Sequence, residues 1–336
     1  MKTTVIFLLA LAGLYAGDCP ATAFRLLNGD NTVIYSDWNA IEGGNEFYVV
    51  TNGAPTKPFL STEHYLGSNS VAFQVPTDTS GNKERVEYKI LETADTNGLN
   101  FTNARYCGFA FMLATNPLPF TDSSIFWQAW QGSPWGAPAM LKFGSGSSAP
   151  YLIRLTVRNA SDGPDSSVPD IQLWSNNVIN PGTWYTFVIY LQPRYNTNGN
   201  IKLWINGTNC LDWTGEIGYD PTQVTNTYNG LDLKDGVYQP DANNGHTFYF
   251  DQVRVADTYA EACPILPPAL TPAVTNHTCS LQIGGDAGAS YVIQSSTNLT
   301  SWTTLLTTNP PATPFQFTAG PPGGASRFYR ATASPP

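Results

Sequence analysis

The chain has 336 residues, only 12% of them charged and 13% aromatic, with 29 Gly and 26 Pro that speak for many turns. This composition excludes a helical bundle and a disordered chain, and it suits an extracellular β-rich protein. The formal net charge of −9 argues against nonspecific nucleic-acid binding, so a site for an anionic ligand has to be locally basic against an acidic background.

Met1 to Gly17 reads as a secretory signal. Lys2 gives a positive start, Val5 to Leu14 is an apolar run too short to span a bilayer, and Ala16 or Gly17 offers a small residue for cleavage. An uncleaved anchor is the weaker alternative. The mature protein is expected to be a secreted monomer, extracellular or periplasmic, with no membrane attachment after cleavage. Such compartments are oxidising, and the chain has five cysteines. Cys19–Cys263 and Cys107–Cys210 are plausible bridges that leave Cys279 over, although spacing alone does not fix the pairing. No Cys-x-x-Cys or clustered His–Cys pattern supports zinc.

From Asp18 to Cys263 the chain reads as strand after strand. Phe47 to Val50, Val71 to Val75, Tyr106 to Leu113, Ile125 to Trp130, Met140 to Phe143 and Leu152 to Val157 are short β-rich runs. Ile171 to Trp174, Trp184 to Leu191, Ile201 to Ile205 and Thr247 to Val255 continue the pattern, with Asn198-Gly199-Asn200 as a hairpin signal. Turn signals also fall at Asn52-Gly53 and Ser80-Gly81-Asn82. No long run has helical period. Many strands without helical partners imply an all-β sandwich or jelly roll over residues 18–263. Residues 264–270, rich in proline, form a stiff linker. Residues 271–336 then make a small C-terminal β-sandwich domain, with strands at Leu281 to Ile283, Tyr291 to Gln294 and Arg327 to Arg330.

Three segments carry matching chemistry on alternating faces. In Glu84-Arg85-Val86-Glu87-Tyr88-Lys89-Ile90 the apolar set can face the core while Arg85, Glu87 and Lys89 line the other face, with Glu87 placed to hold both cations. In Ile125-Phe126-Trp127-Gln128-Ala129-Trp130 the amide of Gln128 and the indole of Trp130 share a face, a pairing that suits sugar binding; either Trp127 or Trp130 is equally a core residue. In Asp232-Leu233-Lys234-Asp235-Gly236-Val237-Tyr238-Gln239 one face offers a cation, a gap and a phenol, and a glycine inside a strand often marks close approach by a ligand or another backbone. Each segment alone also reads as an ordinary half-exposed strand.

Together these segments resemble the secreted jelly-roll polysaccharide lyases: the alginate lyases of family 7 and, more loosely, the glucuronan and heparin lyase I groups. Those alginate lyases carry Arg-x-Glu-x-Arg, Gln-x-His and Tyr-Phe-Lys-Ala-Gly-x-Tyr-x-Gln. Arg85 to Lys89 matches the first with Lys for the last Arg, Gln128-Ala129-Trp130 matches the second only at Gln128, and Leu231 to Gln239 matches the third through Lys234, Gly236 and Tyr238. Gly182-Thr183-Trp184-Tyr185, Leu203 to Gly207 and Phe248 to Arg254 resemble the later half of the glucuronan and heparin lyase-like domain, and Tyr291 to Trp302, closing on Phe328-Tyr329-Arg330, resembles a module that trails many secreted bacterial enzymes, over most of residues 270–333.

The resemblance implies a concanavalin A-like jelly roll that cleaves a uronate-containing polysaccharide by β-elimination. Arg85 and Gln128 would neutralise the substrate carboxylate, and Tyr238 would protonate the leaving oxygen, with Lys234 placed to lower its pKa. Glu87, Lys89, Trp130, Lys234 and Gln239 would bind substrate. The base is the departure: Trp130 stands where the family has His. Tyr238 acting twice, His64 and His246 are the alternatives. No cofactor is implied; Asp251 is a candidate ligand for a structural calcium, and equally an ordinary hydrogen-bonding Asp. Two rival readings are a noncatalytic glycan-binding lectin, favoured by that Trp, and a glycoside hydrolase, whose Glu-x-Asp-x-x-Glu pattern is absent.

Overall fold

The structure is a computed structural model that describes residues 25–27, 58–77, 84–91, 98–121, 123–132, 137–160, 169–223, 230–239, 244–265, 268–275, 278–286, 288–320 and 327–334. The signal-like segment, Cys19, the Phe47 to Val50 strand and the turns at Asn52-Gly53 and Ser80 to Asn82 lie outside the described residues. The chain divides into two compact units, one from Thr22 to Pro264, while Ile265–Pro336 belongs to the other. Among the described residues no helix is long and apolar enough to cross a membrane.

In the first unit the strands are β1 (Arg25–Leu27), β2 (Phe59–Ser61), β3 (Ser70–Val75), β4 (Glu84–Leu91), β5 (Leu99–Asn100), β6 (Arg105–Leu113), β7 (Ile125–Trp130) and β8 (Ala139–Phe143). They continue with β9 (Tyr151–Val157), β10 (Asn159–Ala160), β11 (Ile171–Ile179), β12 (Trp184–Gln192), β13 (Arg194–Ile205), β14 (Thr208–Tyr219), β15 (Gly230–Gln239) and β16 (His246–Ala256), before a single-turn helix, α1 (Tyr259–Ala262). Two sheets result. One has nine strands in the order β10-β14-β13-β12-β6-β16-β3-β2, with β1 also on β16; the other has seven, β11-β9-β8-β7-β15-β4, with β5 also on β15. This is the jelly-roll sandwich that the strand-rich sequence calls for.

The core between the sheets is aromatic. Phe109 and Phe111 of β6 meet Phe126 of β7, with ring centroids 6.5 and 4.7 Å apart, and Phe143, Phe187, Phe248 and Phe250 complete the cluster. All are essentially fully buried. Truncating one such ring to Ala costs roughly 3–5 kcal/mol, so these positions fix which face of each strand points inward.

Two irregularities decide what the seven-stranded sheet presents outward. On β7, Phe126 and Trp127 are consecutive and both belong to the core, and the pairing with β8 shifts register between Ile125 and Trp127. That bulge leaves Ile125 and Gln128 as successive outward residues. On β15 the register with β7 shifts between Asp235 and Tyr238. Gly236 sits in this shift with φ +140, and a Cβ there would lie 2.3 Å from the Val86 carbonyl oxygen and 2.7 Å from Glu87 Cα. The gap at Gly236 is therefore filled by the backbone of β4, the second of the two occupants a strand glycine admits.

The hairpin signal at Asn198 to Asn200 falls inside β13. The chain does reverse between β12 and β13, since Gln192 pairs with Asn200. Gly199 is needed there because a Cβ would stand 2.4 Å from the Gln192 carbonyl oxygen. The Cys107–Cys210 bridge is not formed; both are free thiols, as is Cys263. Cys107 is on β6 and Cys210 on β14, three strands apart in one sheet, which is ~14 Å at the usual strand spacing. That exceeds the span a disulfide bridges.

In the second unit, β17 (Ala269–Thr275), β18 (Thr278–Gly284) and β21 (Phe315–Gly320) form one three-stranded sheet, and β20 (Thr303–Thr308), β19 (Ser290–Ser296) and β22 (Phe328–Ser334) form another. Ile283, Tyr291 and Ile293 are buried in it. β18, β19 and β22 coincide with the strands expected from sequence, while β17, β20 and β21 carry threonines, and β17 a proline, that weaken the alternation.

Candidate active site

β15 runs between β4 and β7, so the three segments singled out in the sequence are adjacent strands of one sheet. Register fixes which side chains meet. Tyr238 is opposite Arg85 on β4 and Ile125 on β7; Lys234 is opposite Lys89 and Gln128; Asp232 is opposite Trp130; Gly236 is opposite Glu87. Cross-strand partners project to the same face. Arg85, Glu87, Lys89, Gln128, Trp130, Lys234 and Tyr238 therefore share the face that points away from the core.

Glu87 is the hub of this face. It is only 4% exposed, its Oε1 accepts the Gln128 amide Nε2–H, and its Oε2 lies 3.9 Å from Arg85 Nη1. The carboxylate thus holds the amide in place from below and stands at ion-pair distance from the guanidinium. The Arg85 guanidinium lies 5.9 Å from the Tyr238 ring centroid, and the Lys234 ammonium 4.3 Å from the Trp130 ring centroid, within cation–π range. Lys89 pairs with Asp232 at 3.5 Å. Tyr238 is half-buried against Ile125, Ala137 and Met140, a small apolar cluster separate from the main core. Trp127 is the core indole of β7, and Trp130 is half-exposed.

The remaining expected site residues lie elsewhere. Gln239 is fully buried on the opposite side of β15 from Tyr238, donating to the Asn244 carbonyl at 2.8 Å. It braces the approach to β16 and does not line the outward face. His64 is exposed on the loop after β2, at the edge of the nine-stranded sheet, with Nδ1 2.8 Å from the Thr62 carbonyl. His246 opens β16 and stacks on Phe120 at 3.9 Å inside the sandwich; burial pushes its pKa down to about 4. His277 lies outside the described residues, so among the described residues no histidine reaches this face.

Asp251 is fully buried on β16. One carboxylate oxygen accepts from the Tyr65 and Leu66 N–H groups, each at 3.0 Å, and the other accepts from the Gln252 N–H at 2.8 Å. These donors pin the 62–66 loop. Calcium takes a cage of six or more oxygens, and N–H groups aimed at both carboxylate oxygens do not fit one. Among the described residues no group of three or more His, Cys, Asp and Glu is arranged for a metal.

Sequence reasoning missed part of the face. Lys142 on β8 and Arg154 on β9 follow in register from Ile125, and Asp170, just before β11, pairs with both Lys142 and Arg158. The signal was present as single cations inside apolar strands, Leu141-Lys142-Phe143 and Ile153-Arg154-Leu155. The face then gathers Arg85, Lys89, Lys142, Arg154, Arg158 and Lys234 against Glu87, Asp170 and Asp232. It is a net-basic face, with Lys234 and Gln128 themselves only 5% and 3% exposed, on a chain of net charge −9, which is the local reversal an anionic ligand needs.

Beneath this face lies Asp235. It points into the core, is fully buried, and neither of its oxygens has a partner. Burial, and then the charge of Glu87, raise its pKa well above the ordinary carboxylate range. The Cys107 thiol is raised by its own burial and then by Asp235.

The site is thus a basic, aromatic-edged face of one sheet of a jelly-roll sandwich. The profile of the polysaccharide lyase family matches residues 31–254, and the chain belongs to that family. It is a polysaccharide lyase. No curated protein matches the chain. Among solved structures it is similar to an endo-β-1,4-glucuronan lyase from the fungus Trichoderma reesei, at 15% identity and TM-score 0.47, over 66% of this chain and 95% of that one. It is also similar to an alginate lyase from Pseudomonas aeruginosa, at 13% identity and TM-score 0.41, over 70% and 98%.

Proposed function

We propose that this lyase cuts a uronate-containing polysaccharide by β-elimination on the outward face of the seven-stranded sheet, and that it is exported to act there. The observation that supports the reading is the strand register, which gathers Arg85, Gln128 and Tyr238 on three adjacent strands. The substrate carboxylate lies against Gln128 and Arg85, whose donors take up the charge that builds on it as the α proton leaves. Glu87 fixes the Gln128 amide before substrate arrives and lies within ion-pair distance of Arg85.

Tyr238 performs both proton transfers. Its phenolate, beside the Arg85 guanidinium, removes the C5 proton. The C5–H electrons form the C4=C5 double bond, the C4–O bond breaks, and the phenol returns the same proton to the departing glycosidic oxygen. One group serving twice requires that proton and leaving oxygen lie on the same side of the ring. Mannuronate and glucuronate meet that condition; guluronate does not. Trp130 and Lys234 supply a ring face and a charge for the adjoining sugar.

The test is to incubate the protein with glucuronan, alginate and heparin and follow absorbance from the new double bond. Unsaturated product from glucuronan or mannuronate-rich alginate supports the reading. Tight binding with no unsaturated product favours the lectin reading, for which the half-exposed Trp130 is the supporting observation. New reducing ends without unsaturation indicate hydrolysis.

A further inference from the structure

Resting on that reading, we infer that Arg154 is a substrate-binding residue that grips a uronate carboxylate distant from the bond being cut. The register places one straight row across the sheet: Arg85, Tyr238, Ile125, Lys142, Arg154 and Ser175, on β4, β15, β7, β8, β9 and β11. A chain laid along this row passes over Tyr238 and then over Arg154, three strands and ~14 Å further on.

The cations of the face differ in one respect. Arg85 faces Glu87, Lys89 faces Asp232, and Lys142 and Arg158 share Asp170, while Lys234 lies over the Trp130 ring. Among the described residues Arg154 alone on this face has neither a carboxylate nor a ring, and its buried Nε has no acceptor. A guanidinium left half-buried without an acceptor is costly unless something else meets it. Its position is also built. A Cβ at Gly144 would come within 3.2 Å of Arg154 Nε and Nη2, so the glycine leaves the room the guanidinium occupies. The planar fork matches a carboxylate bidentately, and an anionic polymer presents one carboxylate per uronate.

The test uses Arg154→Met, which keeps the apolar stem, and Arg154→Lys, which keeps the charge, each also combined with Tyr238→Phe. Retardation in native gels containing glucuronan or alginate reads binding without turnover. Steady-state cleavage of β-1,4-linked oligouronates of three and of six or more units reads length dependence. We expect Arg154→Met to weaken retardation and to raise KM for the longer oligomer about tenfold, the equivalent of one lost charged contact, with kcat and the trimer unchanged. Arg154→Lys should recover part of the loss, and melting temperatures should match the parent. Equal effects on trimer and longer oligomer, no effect on either, or a parent that neither polymer retards would overturn the assignment. Retardation that depends on Arg154 without unsaturated product would instead sink the elimination chemistry and leave the binding role standing.

Discussion

Asp235→Asn isolates one buried proton. In the unfolded chain this carboxyl ionises near pH 3.9. In the folded protein it is enclosed by the core, opposed by Glu87 from β4, next to Cys107 from β6, and without a hydrogen-bond partner, so it keeps its proton to much higher pH. Between those two values the folded state binds one proton more than the unfolded state, and stability falls as pH rises, by about 1.4 kcal/mol per pH unit. Asparagine has nearly the same shape and no such proton. The two proteins should therefore unfold similarly near pH 4. The variant should gain on the parent as pH rises from 5 to 7, by at most about 1.4 kcal/mol per pH unit. Urea unfolding of both proteins at pH 4, 5, 6 and 7, with the slope against urea held common, measures the difference directly. A difference that stays flat across this range would refute the assignment of an unpartnered buried carboxyl under the site.

His246→Phe should act in the opposite sense. The folded imidazole stays neutral down to about pH 4 while the unfolded one protonates near 6.5, so the parent loses stability as pH falls through that window; melting temperatures from pH 7 to 4.5 should drop less in the variant, whose ring can keep the stack on Phe120. Gly236→Ala forces a positive φ on an L-residue and places its Cβ 2.3 Å from the Val86 carbonyl, so chemical denaturation should show a loss of roughly 3 kcal/mol or more. Glu87→Ala releases both the Gln128 amide and the Arg85 guanidinium; kcat/KM on the cleaved polymer should fall at least about tenfold, with Tyr238 untouched.

The alternation in Arg85 to Lys89 and in Lys234 to Tyr238 was legible because strand period alone sorts those side chains onto two faces. That β15 lies between β4 and β7 was not legible, since about a hundred residues or more separate it from either strand and only the motif order of related lyases suggested they meet. Bulges were the other limit. Two consecutive inward residues, Phe126 and Trp127, break simple alternation, and only the three-dimensional packing shows which neighbour of Gln128 faces out. Gly236 illustrates the same limit, because a glycine gap in a strand looks alike whether a sugar or a neighbouring backbone fills it. Arg154 and Lys142 went unread because a single cation in an apolar strand has no local partner to mark it; their meaning comes from register with Tyr238 across three strands.

The most direct measurement of the elimination chemistry is the rate at which the parent and Tyr238→Phe generate the unsaturated uronate chromophore from glucuronan and from mannuronate-rich alginate. The account predicts a clear signal from the parent on at least one of them, and a fall of at least about a hundredfold when the phenolic hydroxyl is removed, with binding of the polymer retained. A Tyr238→Phe protein that forms the chromophore at the parental rate would contradict it.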